Sequence, residues 1–283
     1  MEQRKLTIIS IGILVLAGLV SFLYLSEHKT QNQTLTIAFL DVGQGDAIFI
    51  ETPSGNQILI DGGPNGTVLS ELGRVMPPGD RTIDMVIATH PDADHIAGLV
   101  DVLDRYQVDT FIDSGAIAKT AIFEALSDQE LNVPRSITAH IGDRIVSDDG
   151  VTLDILAPYS NPNPDDMNAS SVVTLLRYGT LSVMLTGDAP QEIEEDLTRW
   201  YGNQLESEIL KAGHHGSKTS TDPKFVQALD PVIGIISAGA DNRYGHPNKD
   251  VVDTLTKEEV QILGTYEEGT IIFESDGKNL WRK

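Results

Sequence analysis

The chain contains no cysteine among its 283 residues. That absence excludes disulfides, thiolate metal sites and thiol nucleophiles, and it is compatible with an oxidising exterior. A G-x-S-x-G motif is also absent, which disfavours a serine nucleophile. Basic residues are few: 20 lysines and arginines stand against 42 aspartates and glutamates. The resulting net charge of −22 opposes tight binding to long nucleic acid, because phosphate recognition normally relies on Lys and Arg.

One long uncharged run, "LTIISIGILVLAGLVSFLYL", occupies residues 6–25. Its length matches the roughly 30 Å hydrocarbon thickness of a bilayer. Arg4 and Lys5 precede the run and Glu27 follows it, which predicts a cytoplasmic N-terminus (residues 1–5) and an extracytoplasmic remainder. Since no A-x-A-like site lies near its end, we expect an uncleaved single-pass anchor in the cell membrane. Cleavage would instead give a secreted protein. We expect residues 26–33 to form a polar linker.

From Thr34 onward, short β-rich runs alternate with helical patterns. "TLTIAFL", "AIFIE" and "QILIDGG" predict an antiparallel start, with a turn at "TPSGN". Further strands are predicted at "DMVIATH", "VDTFIDS", "VTLDILAP", "SVVTLLRYG", "LSVMLTGDA", "SEILKAG", "PVIGIISAG", "EVQILGT" and "GTIIFES". Helices are predicted at "HIAGLVDVLDRY" and at "PQEIEEDLTRWYG", where Pro190 lies in the first turn and Gly202 past the end. We therefore expect one α/β domain over residues 34–283, with two packed sheets covered by helices.

Four potential metal ligands crowd the stretch "THPDADH": His90, Asp92, Asp94 and His95. His90 and Asp92 are two residues apart, so their side chains share one side of an extended chain. Asp94 and His95 follow at the entry to a helix and can aim at a second point nearby. Imidazole nitrogen and carboxylate oxygen are ligands for Zn, Mn or Fe. The alternative is an acidic loop that caps the helix, but four such residues within six positions favour a metal site.

The remaining histidines strengthen this interpretation. Five of the seven histidines fall in three places: His90 with His95, the adjacent pair His214 and His215, and His246. The stretch "DVGQGD" lacks both the G-x-G-x-x-G spacing and a following helix, so it is not a nucleotide loop. Its glycines favour a tight turn beside the metals, with Asp41 or Gln44 close to them.

The motifs resemble those of a known family. "THPDADHIAG" is similar to the H-x-H-x-D-H motif of the metallo-β-lactamase superfamily, with Asp92 in place of the second histidine. "FLDVGQGDAIFIETPSGNQILIDGG", "LTGDA", "LKAGHHGSKTS" and "SAGADNRYGHP" occur in the order typical of one subfamily. That subfamily is the C-terminal hydrolase domain of the competence DNA-uptake channel ComEC and its stand-alone relatives. The resemblance covers nearly all of the chain after the anchor, and it implies a four-layer αββα sandwich.

The resemblance also implies a role for individual residues. Two divalent metal ions, zinc or manganese, would be held by these ligands: His90 and Asp92 at the first, Asp94, His95 and His215 at the second, and Asp188 between both. His214 is the alternative to His215, and the one left over would donate a proton or support the ligands. Asp61 would support the metal ligands from behind, although a simple turn residue is equally compatible with "LIDGG".

Substrate contacts are implied less directly. Ser217 and Lys218 suit phosphate oxygens, although a polar loop that caps the helix "DPKFVQALD" is the alternative. Asn168 and Ser171 lie where many superfamily members place another ligand histidine, and Asn168 is a candidate substrate contact. This chain has no histidine between His140 and His214, which predicts a weaker first metal site. His246 is a further ligand, a substrate contact or a structural residue before Pro247.

These expectations combine into a function. Three aspartates against two divalent ions leave about one positive charge for an anionic substrate, and Asp92 in place of an imidazole favours manganese. We expect a phosphodiesterase or nuclease that uses a hydroxide held by both ions, with Asp94, His214 and His246 in catalysis. The substrate would be DNA or another phosphodiester outside the membrane, and a DNA-uptake channel is the expected partner. A lactone, lactam or thioester hydrolase and a catalytically silent, membrane-tethered binding module are the alternatives. The oligomeric state is left open.

Overall fold

A computed structural model describes residues 34–159, 161–163 and 165–283. The predicted membrane anchor (6–25) and linker (26–33) lie outside these residues. Within the described ranges, no helix combines the length and the apolar character needed to cross a membrane.

Eight strands form the first sheet, in the order β15-β14-β1-β2-β3-β4-β5-β6. Their bounds are β1 Leu35–Phe39, β2 Ile48–Glu51, β3 Gln57–Ile60, β4 Thr82–Ile87, β5 Gln107–Asp113, β6 Arg135–Thr138, β14 Ile271–Ser275 and β15 Leu280–Arg282. The predicted antiparallel start is confirmed, since β1 pairs with β2 and β2 with β3 in that sense. From β3 to β6 the strands run parallel.

Seven strands form the second sheet, in the order β13-β12-β11-β10-β9-β8-β7. Their bounds are β7 Arg144–Val146, β8 Thr152–Ala157, β9 Val173–Tyr178, β10 Leu181–Leu185, β11 Ile209–Lys211, β12 Ile233–Ile236 and β13 Gln261–Gly264. The pairs from β7 to β10 are antiparallel, and those from β10 to β13 are parallel. Both sheets are therefore mixed, and each has a parallel half whose carboxyl ends can present loops to a common site.

Seven α-helices lie in the described part of the chain. Their bounds are α1 Thr67–Val75, α2 Ala93–Arg105, α3 Ala121–Glu130, α4 Gln191–Tyr201, α5 Pro223–Leu229, α6 Lys249–Lys257 and α7 Thr265–Glu268. The helices predicted near α2 and α4 are present, with Pro190 just before α4 and Gly202 at its end. The helix at "DPKFVQALD" is present as α5, and Asp222 caps it by accepting from the backbone N–H groups of Lys224 and Phe225.

Three apolar clusters define the order of the layers. The first lies between the sheets and joins Ile50 of β2 to Val183 of β10. The second joins the opposite face of the first sheet, including Phe49, to helices α1–α3. The third joins Met184 and the outer face of the second sheet to helices α4–α6. Adjacent residues such as Phe49 and Ile50 point to different clusters because side chains alternate along a strand. The layers are thus helix, sheet, sheet, helix.

Candidate metal centre

Loops from both sheets bring the predicted ligands to one place. His90 and Asp92 lie in the connection between β4 and α2, and Asp94 and His95 lie in the first turn of α2. Asp188 follows β10, and the histidine pair follows β11. Donor atoms of Asp46, His95, Asp188 and His215 all lie within 4.8 Å of one another, and all four residues are buried. The cluster lies at the carboxyl ends of parallel strands, the usual position of sites in α/β folds.

Asp188 lies at the middle of the cluster. Its Oδ1 is 3.2 Å from His95 Nε2, and its Oδ2 is 3.3 Å from His215 Nε2. The same Oδ2 is 3.6 Å from His214 Nε2 and 3.9 Å from His90 Nε2. Four imidazole nitrogens therefore face one carboxylate, a position from which Asp188 can bridge two cations.

Two further carboxylates lie at the open side of the cluster. Asp92 Oδ2 is 3.8 Å from His90 Nε2, and Asp94 Oδ2 is 3.5 Å from His215 Nε2. The Asp92 and Asp94 side chains are 46% and 33% exposed, whereas Asp188 is 3% exposed. Two groups of donors thus share Asp188, and solvent or a ligand reaches them from the side of Asp92 and Asp94.

Each of the three most buried histidines is anchored at Nδ1. His90 Nδ1 is 3.0 Å from Thr89 Oγ1, His95 Nδ1 is 2.8 Å from Asp61 Oδ2, and His215 Nδ1 is 3.0 Å from the Ser237 carbonyl. The Thr89 hydroxyl donates to Asp61 Oδ2 at 2.7 Å, so its oxygen accepts from His90 Nδ1. A proton on Nδ1 leaves the Nε2 lone pair free, and all three Nε2 atoms point into the cluster.

Asp61 lies directly behind these ligands and is fully buried. Besides His95 and the Thr89 hydroxyl, it accepts from the Thr89 backbone N–H through Oδ1 at 2.8 Å. Burial raises the pKa of Asp61, and the neighbouring His95 offsets part of that rise. Its backbone adopts a left-handed conformation, with φ of 58°. A non-glycine residue tolerates this where surrounding contacts hold it, as the three accepted hydrogen bonds do here.

The donor set fits divalent cations. His90 Nε2, Asp46 Oδ1 and Asp188 Oδ1 are buried and have no hydrogen-bond partner among the described residues. A buried polar atom without a partner costs roughly 1–3 kcal/mol. Nitrogen and oxygen donors at this spacing, with no sulfur available, suit zinc, manganese or iron. Cations held by His90 and Asp188 would give His90 Nε2 and Asp188 Oδ1 the partners they lack.

The charges of the cluster depend on one another. Burial lowers the pKa of His90 to about 3, which keeps its imidazole neutral. Burial also acts to lower the pKa of His95, but the negative charges of Asp188 and Asp61 outweigh it and raise that pKa well above its ordinary value. Burial would raise the pKa of Asp188, yet His215 and His95 hold it well below its usual range. Without cations, protons on the imidazoles balance the central carboxylate.

Asp46 and Lys211 form a buried ion pair that the sequence analysis did not predict. Lys211 is fully buried, ends β11 and donates to the Gly187 carbonyl at 3.2 Å. Asp46 Oδ1 lies 3.4 Å from His215 Nδ1. Burial would raise the pKa of Asp46, but the Lys211 ammonium holds it far below its usual range. The available signal was a lysine inside the apolar run "EILKAG".

Several predicted residues lie at the edge of the cluster or away from it. The Asp41 side chain makes a local hydrogen bond, since its Oδ1 accepts from the Gly43 backbone N–H at 3.2 Å. The Ser217 hydroxyl is buried and bonds to Thr219 Oγ1 at 3.0 Å, whereas Lys218 is exposed. The "DVGQGD" turn instead reaches the centre through Asp46.

His214 has two partners at Nδ1 that favour opposite tautomers. Asn168 Nδ2 lies 3.3 Å away and can donate to Nδ1, which places the proton on Nε2. Thr219 Oγ1 lies 3.1 Å away and can accept from Nδ1, which frees Nε2 as a ligand. Both roles predicted for His214 are therefore compatible with its surroundings. Asn168, predicted as a substrate contact, lies within hydrogen-bond distance of His214.

Backbone geometry sets the positions of the histidine pair and of α2. His214 and His215 both adopt left-handed conformations, with φ of 47° and 56°. Such conformations are uncommon outside glycine and are concentrated at functional sites. At Gly98 of α2, an added Cβ would lie 1.9 Å from the Gly62 carbonyl oxygen. This close approach brings the turn after Asp61 against the helix that carries Asp94 and His95.

Comparisons with known proteins agree with this arrangement. Residues 40–240 match the metallo-β-lactamase superfamily. ComE operon protein 3 of Bacillus subtilis is 33% identical over 83% of this chain and 32% of its own length. Competence protein ComA of Neisseria gonorrhoeae is 29% identical over 93% of this chain and 35% of its own length. This chain thus spans about a third of the length of these curated relatives.

A solved structure shows the same fold. CmlA, a diiron β-hydroxylase from Streptomyces venezuelae, superposes with a TM-score of 0.54 at 14% identity, over 88% of this chain and 54% of the other. At that identity the likeness concerns the fold alone.

Proposed function

We propose, from the premise that this chain belongs to the metallo-β-lactamase superfamily, that it is a metal-dependent phosphodiesterase acting on nucleotide phosphodiesters, DNA among them. The observation that carries the proposal is the set of three anchored imidazoles whose free Nε2 atoms surround the carboxylate of Asp188. A silent binding module would have no need for buried nitrogen and oxygen atoms that lack hydrogen-bond partners.

The residues divide into two ligand groups that share Asp188. His90 and Asp92 would hold one divalent ion, with His214 as a further donor in the tautomer that frees its Nε2. Asp94, His95 and His215 would hold the other. When bound, such ions supply Lewis acidity and lower the pKa of coordinated water. Many superfamily members have a further ligand histidine that this chain lacks between His140 and His214. His214 lies near the first group and could supply the nitrogen ligand in its place.

His246 is positioned to handle a proton at the leaving oxygen. Its ring centroid lies 5.8 Å from that of His214 and 6.5 Å from that of His215, so it borders the ligands without joining them. Its Nδ1 is buried and lacks a hydrogen-bond partner among the described residues. A histidine that protonates a departing alkoxide contributes typically 10²–10⁴-fold to the rate.

The charge balance supports an anionic substrate. The Asp46–Lys211 pair is neutral overall, so it does not change the net charge of Asp92, Asp94 and Asp188 together with two divalent ions. About one positive charge is left for the substrate. Outside the centre, the net charge of −22 repels long polyanions, which favours short or locally engaged nucleic acid over processive binding.

The names of the curated relatives support DNA as the natural substrate. One is called a competence protein and another recombination protein 2. We extend the proposal to the predicted cell-membrane anchor at residues 6–25, with the centre on the outer side and a DNA-uptake channel as partner. Accessibility of the folded domain to protease added outside intact cells tests that placement.

Metal reconstitution tests the activity. The chain from Gln33 onward is stripped of metal, supplied with manganese or zinc, and assayed on bis(p-nitrophenyl) phosphate, single-stranded DNA and double-stranded DNA. Cleavage that returns with metal and is lost in Asp188→Asn supports the proposal, while Asp128→Ala on the exposed face of α3 serves as the matched control. Two bound ions without cleavage of any phosphodiester would refute it and favour lactones or thioesters.

A further inference from the structure

We propose that Tyr244 and Arg243 form a platform on which a nucleobase of the substrate stacks, next to the metal centre. We call the row of Arg243, Tyr244 and His246 the stacking arm. The inference rests on the proposed function and deepens it: the substrate is a nucleotide phosphodiester with at least one unpaired base, rather than any phosphodiester.

The first observation is a continuous row of rings. The Tyr244 ring stacks on the His246 ring, with centroids 5.7 Å apart and an interplanar angle of 24°. His246 in turn lies edge-on to His214, with centroids 5.8 Å apart. The row therefore leads from the surface to a histidine that faces Asp188. A base placed against Tyr244 would be separated from Asp188 by the rings of His246 and His214.

The second observation is exposure. Tyr244 is 57% exposed, although aromatic residues are only 6% of the chain. The Arg243 guanidinium lies 5.3 Å from the centroid of the Tyr244 ring, and its Nη2 donates to the Tyr244 hydroxyl at 3.3 Å. Bases stack on aromatic faces and on guanidinium planes, and a guanidinium also binds phosphate oxygens. An acidic protein thus presents both kinds of contact beside its centre.

The third observation is that the loop is held in place. Asn242 donates from Nδ2 to the carbonyls of Gly239 and His246, at 2.8 and 2.7 Å. Its Oδ1 accepts from the backbone N–H groups of Tyr244 and His246, at 3.2 and 2.9 Å. One side chain therefore fixes the backbone at both ring-bearing positions. A pre-ordered arm loses less conformational freedom on binding, which suits a recognition surface.

Stacking selects the class of substrate without reading its sequence. Every base has a π face, so a platform of this kind accepts all four bases. Paired bases are already stacked on their neighbours, and the arm therefore favours single strands, ends and short products over intact duplex.

Calorimetric titration of the manganese-loaded protein tests the arm without any turnover. The probes are 2′-deoxyadenosine 5′-monophosphate and deoxyribose 5-phosphate, which share sugar and phosphate and differ in the base. We expect roughly thirtyfold tighter binding of the nucleotide, the middle of the range of about 1–3 kcal/mol for one base–aromatic contact. Tyr244→Ala should remove the difference, Tyr244→Phe should keep it, and Trp281→Ala, at an exposed aromatic residue of β15, should leave it unchanged.

Equal affinity for both probes in the unmodified protein, or a preference that survives Tyr244→Ala, would overturn the inference. The result is separable from the proposed function. A base preference that depends on Tyr244 in a protein that cleaves no phosphodiester would support the platform and refute the phosphodiesterase. Cleavage without base preference would do the reverse.

Discussion

Replacing Asp61 with asparagine should disable the metal centre without touching a ligand. Asp61 receives three donors on two oxygens: the Thr89 N–H on Oδ1, and the Thr89 hydroxyl and His95 Nδ1 on Oδ2. Asparagine offers one accepting oxygen and one donating NH₂ group in the same space. The asparagine can therefore accept hydrogen bonds on only one of its two sides, either from the Thr89 N–H or from His95 Nδ1.

Each orientation has a definite cost. If the amide oxygen faces the Thr89 N–H, the NH₂ group faces His95 Nδ1, which must then accept. The proton of His95 moves to Nε2, and that nitrogen loses the lone pair it would offer a cation. If the oxygen faces His95 instead, the NH₂ group opposes the buried Thr89 N–H, and leaving that donor unpaired costs about 1–3 kcal/mol.

We expect the Asp61→Asn protein to bind at least one metal ion 10- to 100-fold more weakly, as is typical when such a supporting carboxylate is lost. The assay is competition with a chromophoric chelator, with the unfolding free energy measured in parallel on metal-free protein. Asp128→Ala is again the control. Metal affinity and stability both equal to those of the unmodified protein would refute the reasoning about His95.

Three further predictions concern other parts of the molecule. His246→Ala should slow cleavage of DNA by at least 100-fold but that of bis(p-nitrophenyl) phosphate far less, because p-nitrophenolate leaves without a proton; equal losses on both substrates in steady-state assays would exclude a proton-donor role. Burial raises the pKa of Glu194 to about 7 from its ordinary 4.5, so the folded state binds more protons between those values and the unfolding free energy should fall by ~3 kcal/mol as pH rises through that window. Denaturant titrations at several pH values measure this, and Glu194→Gln should flatten the profile if the assignment is right. Gly98→Ala should destabilise the protein by more than 2 kcal/mol, because its Cβ would meet the Gly62 carbonyl oxygen; a thermal midpoint unchanged from the parent would contradict the close approach.

Much of the fold was predictable because its strands are apolar runs with clear boundaries. Three strands, β6, β7 and β15, were not predicted, for a physical reason: β6 is exposed at all four positions, and β7 and β15 have only three residues each, so none shows an alternating pattern. Helix α6 escaped for a related reason. It buries only Val251 and Leu255 among polar neighbours, and a helix of nine residues offers little periodicity to read.

The candidate site shows the same division. Ligands that are close in sequence, such as His90 and His95, can be predicted from their spacing. The Asp46–Lys211 pair does not show in this way, because Asp46 precedes β2 of the first sheet, Lys211 ends β11 of the second, and only the tertiary structure brings them together. The resemblance placed Asp61 behind the ligands, but its hydrogen bonds to Thr89 could be read only from coordinates.

The origin of the ligands in two different sheets has a thermodynamic consequence. His90, Asp92, Asp94 and His95 follow a strand of the first sheet, whereas Asp188, His214 and His215 follow strands of the second. Metal binding and the closure of the sandwich at this rim are therefore linked equilibria. The stability of the contact between the sheets at the rim should rise with the concentration of free metal ion. Removal of metal should accordingly speed amide exchange first at the rim ends of β4, β10 and β11, while the opposite end of the sandwich keeps its protection.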